Sequence, residues 1–301
     1  MNKNCKTYII TFFLLFIFLS QNSYSQHINE KKDSTFWIFN RKPLVTYSVI
    51  AYSAVTLYLE YKWWWEDNFH KFNYRWEGFL NDYSLGVDKI GHFYTSYLYF
   101  SAAKEIMQWA NFDESTVLLA AIGIPLAHAI SVEIGDGFSS YAFSPDDLIA
   151  NSLGIGYGYL QYKVPFFQNF NIKWSYFPSP GTNIFASDYR LTDDYDGHIY
   201  WLSFNMHNLL PEPIDAYWPK FLNLAIGYGV KNYSPFSSNY DSSQPVKRHF
   251  AISLDYNLTE IPLEGGFIDL LKGVLNYFHF PAPGIEKTEG ENLQFKPLLT
   301  N

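Results

Sequence analysis

The sequence predicts an α+β protein: an N-terminal helical bundle of about four helices, then a small antiparallel β-sheet and a short C-terminal helix. Three observations carry that reading. Long, mainly apolar stretches without strict alternation fill the first half of the chain, and period-two alternation begins after Phe167. Between the two regimes, polar residues gather in three short clusters set in otherwise apolar, helix-like sequence. The expected divisions are a signal peptide over residues 1–25, a helical domain over 26–167, a β-rich region with a short helix over 168–282, and a disordered tail over 283–301.

The chain opens with Lys3 and Lys6, runs through a mainly apolar stretch at 8–19, and reaches Ser23-Tyr24-Ser25 before Gln26. A basic start, an apolar core short for a bilayer and small residues around Ser25 predict export and cleavage. Removing Lys3 and Lys6 takes the formal charge from −8 to −10 and removes Cys5, the one cysteine. No disulfide, thiolate ligand or cysteine nucleophile is then expected, and an acidic chain argues against nucleic acid as a partner. No cysteine follows the apolar stretch, which argues against lipoprotein processing. Aromatic residues make up 20% of the chain, a bias that suits either a membrane interface or an aromatic core.

Residues 43–59 carry no charge and run into Glu60-Tyr61-Lys62-Trp63-Trp64-Trp65, suited to a lipid headgroup layer or a crowded surface. Two more helices are expected over 88–110 and 115–134, the second kinked at Pro125 and stopped by Gly135-Asp136-Gly137. Ser144-Pro145-Asp146-Asp147 opens a fourth: a hydroxyl cap, a proline in the first turn and a carboxylate three residues after the cap. Ala150, Gly154 and Gly158 recur every four residues along it, a stripe for close helix approach. The same glycines make a poor phosphate loop, because no strand precedes them. Strands are expected at 172–176, 200–204, 222–231 and 250–258, the last two with one apolar face each, and a short helix at 267–278. Four strands are too few for a closed membrane barrel, so the apolar face needs the helices or lipid to cover it.

The polar clusters are Asp88-Lys89-x-x-His92, Glu133-x-x-Asp136 and Asp147-x-x-x-Asn151. Asp88 with His92, and Asp147 with Asn151, are four apart and share a helix face, so the two pairs are placed to converge. Each residue also has an ordinary reading: Asp88 and Asp147 as helix-start residues, Lys89 as a solvated cation, His92 as a core histidine, Asp136 as a turn residue, Asn151 as a helix-contact amide. Glu133 ends an uncharged run, where a carboxylate needs a partner or a route to water. His92, Glu133, Asp136 and Asp147 together offer oxygen ligands and an imidazole for a divalent metal, though no standard zinc spacing is present. His128 lies in the same uncharged run and is placed either in the same pocket or against a backbone carbonyl. No Gly-x-Ser-x-Gly elbow occurs, which leaves a serine hydrolase unsupported.

At Asp88-Lys89-Ile90-Gly91-His92-Phe93, at Glu133 with Asp136, and at Phe143-Ser144-x-x-Asp147-Leu148 with Gly154 and Gly158, the chain resembles the YfiM-like family of predicted periplasmic (lipo)proteins of unknown function. The resemblance covers roughly residues 88–162. It is also similar, more distantly, to VanZ-like membrane proteins, whose Asp-x-x-x-Asn-x-x-Gly element Asn151 fits better. The resemblance implies an envelope location, in the periplasm or outer membrane, and a helical core; it supplies no reaction and leaves any cofactor unknown. The expected function is that of an exported, membrane-associated envelope protein with a polar pocket for a lipid or cell-wall ligand, or a scaffold. The alternative is a hydrolase or transferase on an envelope lipid or glycan, with His92 as general base and Glu133 and Asp147 as acid groups or metal ligands.

Overall fold

The computed structural model describes residues 41–186, 189–235 and 237–300; the signal-peptide expectation falls on residues 1–40 and lies outside them. Helix α1 is Arg41–Glu60, α2 Val87–Trp109, α3 Glu114–Gly137 and α4 Pro145–Lys163. Their starts follow local chemistry. Asp113 caps α3 by accepting from the Thr116 backbone N–H at 3.0 Å, and Ser144 caps α4 by accepting from Asp147 at 3.4 Å, with Pro145 in the first turn. Helix α2 follows Gly86, whose φ of 90° suits a residue without Cβ. Pro125 is accommodated inside α3, which runs on through Gly135 and Asp136 to Gly137.

Helix α2 contacts α3 and α4 most extensively. The small-residue stripe explains the α2–α4 approach. A Cβ on Gly154 would stand 2.1 Å from the Phe93 carbonyl oxygen, and one on Gly158 2.5 Å from the Phe100 ring. Helix α1 packs Val45 against Met107 and Val117 at the far end of α2 and α3. The segment 66–86 has little regular structure and folds back over the α3–α4 connection, where Asn73 donates from its backbone to Gly137 O and Phe143 donates to Asn73 O.

The second half forms a six-stranded antiparallel meander in the order β1-β2-β3-β4-β5-β6: Phe170–Tyr176, His198–Phe204, Leu222–Lys231, Lys247–Tyr256, Ala282–Thr288 and Gln294–Leu299. A helix, α5, occupies Gly266–Leu275. The tail expected to be disordered is therefore a hairpin, β5–β6, turning at Gly290 (φ 82°). Its prolines and charges hid the alternation.

Side chains alternate across this sheet in an unexpected sense. Many apolar positions point outward, whereas the inner, buried face sets Lys173, Ser203, Asn223, His249, Ser253 and Asp255 around a small apolar cluster of Ile199, Trp201, Ala225, Ala251 and Leu299. The meander curls: Lys173 Nζ on β1 reaches Asp255 Oδ2 on β4 at 2.8 Å, and Ser203 donates to the same carboxylate at 2.6 Å. Tyr277–His279 runs along β1, with Trp174 N–H donating to Tyr277 O and His279 N–H to Trp174 O, and the His279 ring stacks on Trp201 at 3.8 Å. Burial holds the Lys173 pKa down, and holds that of His279 down at about 4. The outward face of β1 and β2 rests on α2 through Tyr94, which touches Trp174 and Tyr200 and donates to Tyr277 O at 2.9 Å.

Candidate functional site

The first turns of α2 and α4 and the last turn of α3 come together. This brings five sequence-predicted residues into direct contact: Asp88, Lys89, His92, Asp147 and Asn151. Lys89 is almost wholly buried, with its Nζ 2.7 Å from Asp147 Oδ1, 3.0 Å from Asp88 Oδ2, 3.0 Å from Glu77 Oε2 and 3.9 Å from Asp82 Oδ2. It is thus the hub of a carboxylate ring and not a solvated cation. Burial works to lower its pKa, but the surrounding carboxylates outweigh it and hold the ammonium charged.

His92 keeps about a quarter of its side-chain surface (26%) exposed and is the open edge of the cluster. Its Nε2 lies 3.8 Å from both Asp88 Oδ1 and Asp147 Oδ1, too far for a hydrogen bond to either. The other ring nitrogen is held. Asn151 Nδ2 donates to Nδ1 at 3.1 Å, and Ser96 Oγ donates to Asn151 Oδ1 at 2.7 Å. That orientation places the proton of the neutral ring on Nε2, toward the two carboxylates; a doubly protonated ring requires the Asn151 amide to turn over. Burial opposes the charged ring, but Asp88, Asp147 and Glu133 outweigh it and raise its pKa. At Asp88 burial is likewise outweighed, by His92 and Lys89, and its pKa is lowered. At Asp147 burial prevails and the pKa is raised.

Glu133 stands behind this contact group, 1% exposed, and accepts from the backbone N–H of Ser144 at 2.9 Å, tying the end of α3 to the cap of α4. Burial pushes its pKa up to about 8. Asp136 sits at the rim, accepting from Trp65 Nε1 at 2.8 Å, with its pKa raised by burial to about 6. His128 does not join the group; it meets Glu60 Oε1 at 2.8 Å.

Sequence reasoning missed several members. Glu77 and Asp82 lie in the irregular segment 66–86, held there by long-range contacts: the Glu77 and Gly78 backbone N–H groups donate to Asp146 at 2.7 and 2.9 Å. Asp82 accepts from Gly86 N–H at 2.6 Å, closing the turn before α2. Tyr195 comes from the β1–β2 connection and donates to Asp88 Oδ1 at 2.7 Å, over a separation of 107 residues. The spacing of acidic residues in 76–88 was visible, but no periodicity marked them as inward-facing.

The chemistry open to this arrangement is bounded by Lys89. One ligand atom each from Asp88, His92 and Asp147 lies within 4.8 Å of the others, as does one each from Glu77, Asp82 and Asp88. Two carboxylate oxygens and an imidazole suit a divalent cation. The Lys89 ammonium already occupies the Asp147 oxygen that such an ion would share. Four carboxylates face Lys89 and His92, and Arg75 pairs with the outer oxygen of Glu77 at 3.2 Å, so the cluster keeps a surplus of negative charge. A separate cavity of about 360 Å³ lies between β1 and the run into β5, lined by Trp174, Tyr176, Phe278, His279 and Leu299.

No curated protein and no solved structure matches the chain. Residues 76–163, under a third of its length, match the model of a family described as a predicted periplasmic lipoprotein (DUF2279), a description that agrees with an exported protein of the periplasm or outer membrane. That stretch begins one residue before Glu77 and ends with α4, so it contains every member of the cluster except Tyr195, and over it the chain is similar to that family.

Proposed function

We propose that the protein is an exported, membrane-associated envelope protein that uses the Asp88–His92–Asp147 edge to bind a cationic or amine-bearing group of a lipid or cell-wall component. The observation that carries this reading is the surplus of carboxylates around a partly open histidine, with Lys89 buried beneath them. A charged amine fits an edge that is negative and offers acceptor oxygens. The membrane part is supported by α3, which is long and apolar enough by length and composition to cross a membrane, and by the exposed apolar residues of α1, among them Tyr47, Ile50 and Val55.

Two measurements test the two parts. Cell fractionation is expected to place the mature chain with membranes; full recovery in the soluble periplasm without detergent sinks membrane association. Titration with ethanolamine, and with vesicles of phosphatidylethanolamine against phosphatidylglycerol, is expected to show amine-dependent binding lost in Asp88→Asn and Asp147→Asn. Equal binding by the variants sinks the site. A second reading, a hydrolase or transferase with His92 and Glu133 as proton-handling groups, is favoured by one observation: burial pushes the Glu133 pKa up to about 8, within electrostatic reach of the partly exposed His92 ring. A rise in melting temperature with Mg²⁺, Mn²⁺ or Zn²⁺ that disappears in Asp147→Asn would favour its metal-dependent form.

A further inference from the structure

We infer that the outward face of β3–β6 lies against the acyl chains of a bilayer, an inference that rests on the membrane association proposed above and assigns it a second surface. The register lines up one apolar residue from every strand in a single transverse row: Ile172, Leu202, Ile226, Ile252, Ile285 and Phe295. Helix α2 covers the β1 and β2 end of the sheet. Beyond it most of the row is bare: Ile226 is 51% exposed, Ile252 49% and Phe295 65%, with Phe250 beside them at 49% and Ile285 half-buried between Ile252 and Phe295.

What identifies the occupant is the polarity of the other face. A sheet folded in water turns its apolar side inward; the inner face of this one holds a small apolar cluster of Ile199, Trp201, Ala225, Ala251 and Leu299, but it also buries Lys173, Asn223, His249 and Asp255, while isoleucine and phenylalanine stand outside. Apolar outside and polar inside is the arrangement that lipid selects for in sheets, because the hydrogen-bonding groups are satisfied within and the surroundings are hydrocarbon. The dimensions agree. From Leu222 to Tyr228 the outward positions of β3 cover six residue steps, about 20 Å at ~3.3 Å per step, close to the ~25 Å apolar band of membrane β-proteins. Lys287 ends the band. It pairs in register with Phe250, points to the same side and makes no ion pair among the described residues, which suits a cation reaching up to anionic headgroups.

The test uses the full mature chain, purified in mild detergent and mixed with phosphatidylethanolamine/phosphatidylglycerol vesicles. Cys5 is the one cysteine of the sequence, so in a Cys5→Ser background a thiol introduced as Ile252→Cys is the only one and takes an environment-sensitive fluorophore. Its emission is expected to shift to the blue on vesicle addition and to be quenched by lipids brominated on their acyl chains. A label on Ser243→Cys, in the β3–β4 loop, should stay in water. The charged pair Ile226→Asp with Ile252→Asp is expected to lower the floating fraction by at least tenfold with an unchanged circular dichroism spectrum. Three results overturn the inference. If the wild-type chain floats but the position-252 label stays water-exposed, the sheet is not the lipid face, although membrane association stands. If the wild-type chain does not float, both fail. If the position-252 thiols cross-link two chains in place of meeting lipid, a second copy covers the face.

Discussion

Replacing Lys89 with methionine removes one buried positive charge and leaves its shape. Three carboxylate oxygens lie 2.7–3.0 Å from Nζ, and a fourth lies at 3.9 Å. At an effective dielectric of about 20, each of the three near contacts amounts to roughly 5–6 kcal/mol of attraction, most of it offset by the cost of dehydrating the ions. What the variant loses is the balance, and removing one partner of a buried ion pair typically costs about 3–5 kcal/mol. For a chain of this size that corresponds to a fall in melting temperature of about 6–20 °C. The loss should shrink at pH 5, because the stranded carboxylates then take up protons. Adding Asp147→Asn to Lys89→Met should restore about 0.5–3 kcal/mol relative to the sum of the single variants. Thermal melts of the four proteins at pH 5 and pH 8 measure this. A Lys89→Met protein within about 1 kcal/mol of wild type at pH 8, or a fully additive double variant, would refute Lys89 as the hub of the cluster.

His92→Ala should cost roughly 1–3 kcal/mol if the ring is structural, with Glu133→Gln milder, since the amide keeps the shape; if the ring acts on a ligand, it should instead abolish complementation of a deletion strain with the melting temperature nearly unchanged. Stability should fall as pH rises from about 5 to 8, because Glu133 and His92 both have folded-state pKa values raised above their unfolded ones and hold protons that the unfolded chain releases. Glu133→Gln should flatten that slope, which melts across pH measure directly. Gly154→Ala should destabilise by about 1–3 kcal/mol, since its Cβ would strike the Phe93 carbonyl, whereas Gly156→Ala meets nothing within 4 Å and should be neutral or stabilise by up to ~1 kcal/mol. Equal effects of the two substitutions would contradict the close α2–α4 approach.

The four helices were legible because their signals are local. Ser144-Pro145-x-Asp147 writes its own cap, and i, i+4 spacing puts His92 over Asp88 whatever the tertiary fold. Convergence of α2 with α4 could be anticipated only through the small-residue stripe at Gly154 and Gly158. Glu77 and Asp82 were not legible, since the segment that carries them has no period and is fixed by backbone contacts to Asp146, Gly137 and Phe143. Strands β5 and β6 were missed for a different reason. Pairing against a polar interior gives them Glu286 and Lys296 among their residues, and Pro283 and Pro297 break the pattern further, so the hairpin has the composition of a solvated tail.

Tyr195 shows how the two halves of the chain depend on each other. The matched stretch ends at Lys163, yet Asp88 within it accepts a hydrogen bond from a tyrosine of the sheet, and two further ties run the same way: Tyr228 donates to Leu85 O at the start of α2, and Arg248 donates to Leu80 O. All three reach the segment just before or inside the first turn of α2, where the cluster is assembled. The sheet therefore holds the entry to the site, and a hydrogen bond from Tyr195 helps keep Asp88 ionised opposite His92. Tyr195→Phe removes a bond to a charged acceptor, about 1.5–3 kcal/mol, and should also raise the pKa of His92, since a carboxylate relieved of its donor turns more of its charge on the imidazolium. An NMR titration of the His92 ring in wild type and Tyr195→Phe separates the roles. A fall in stability with an unmoved His92 titration would make Tyr195 a clamp between the halves and nothing more, and an upward shift would make the sheet part of the site's electrostatics.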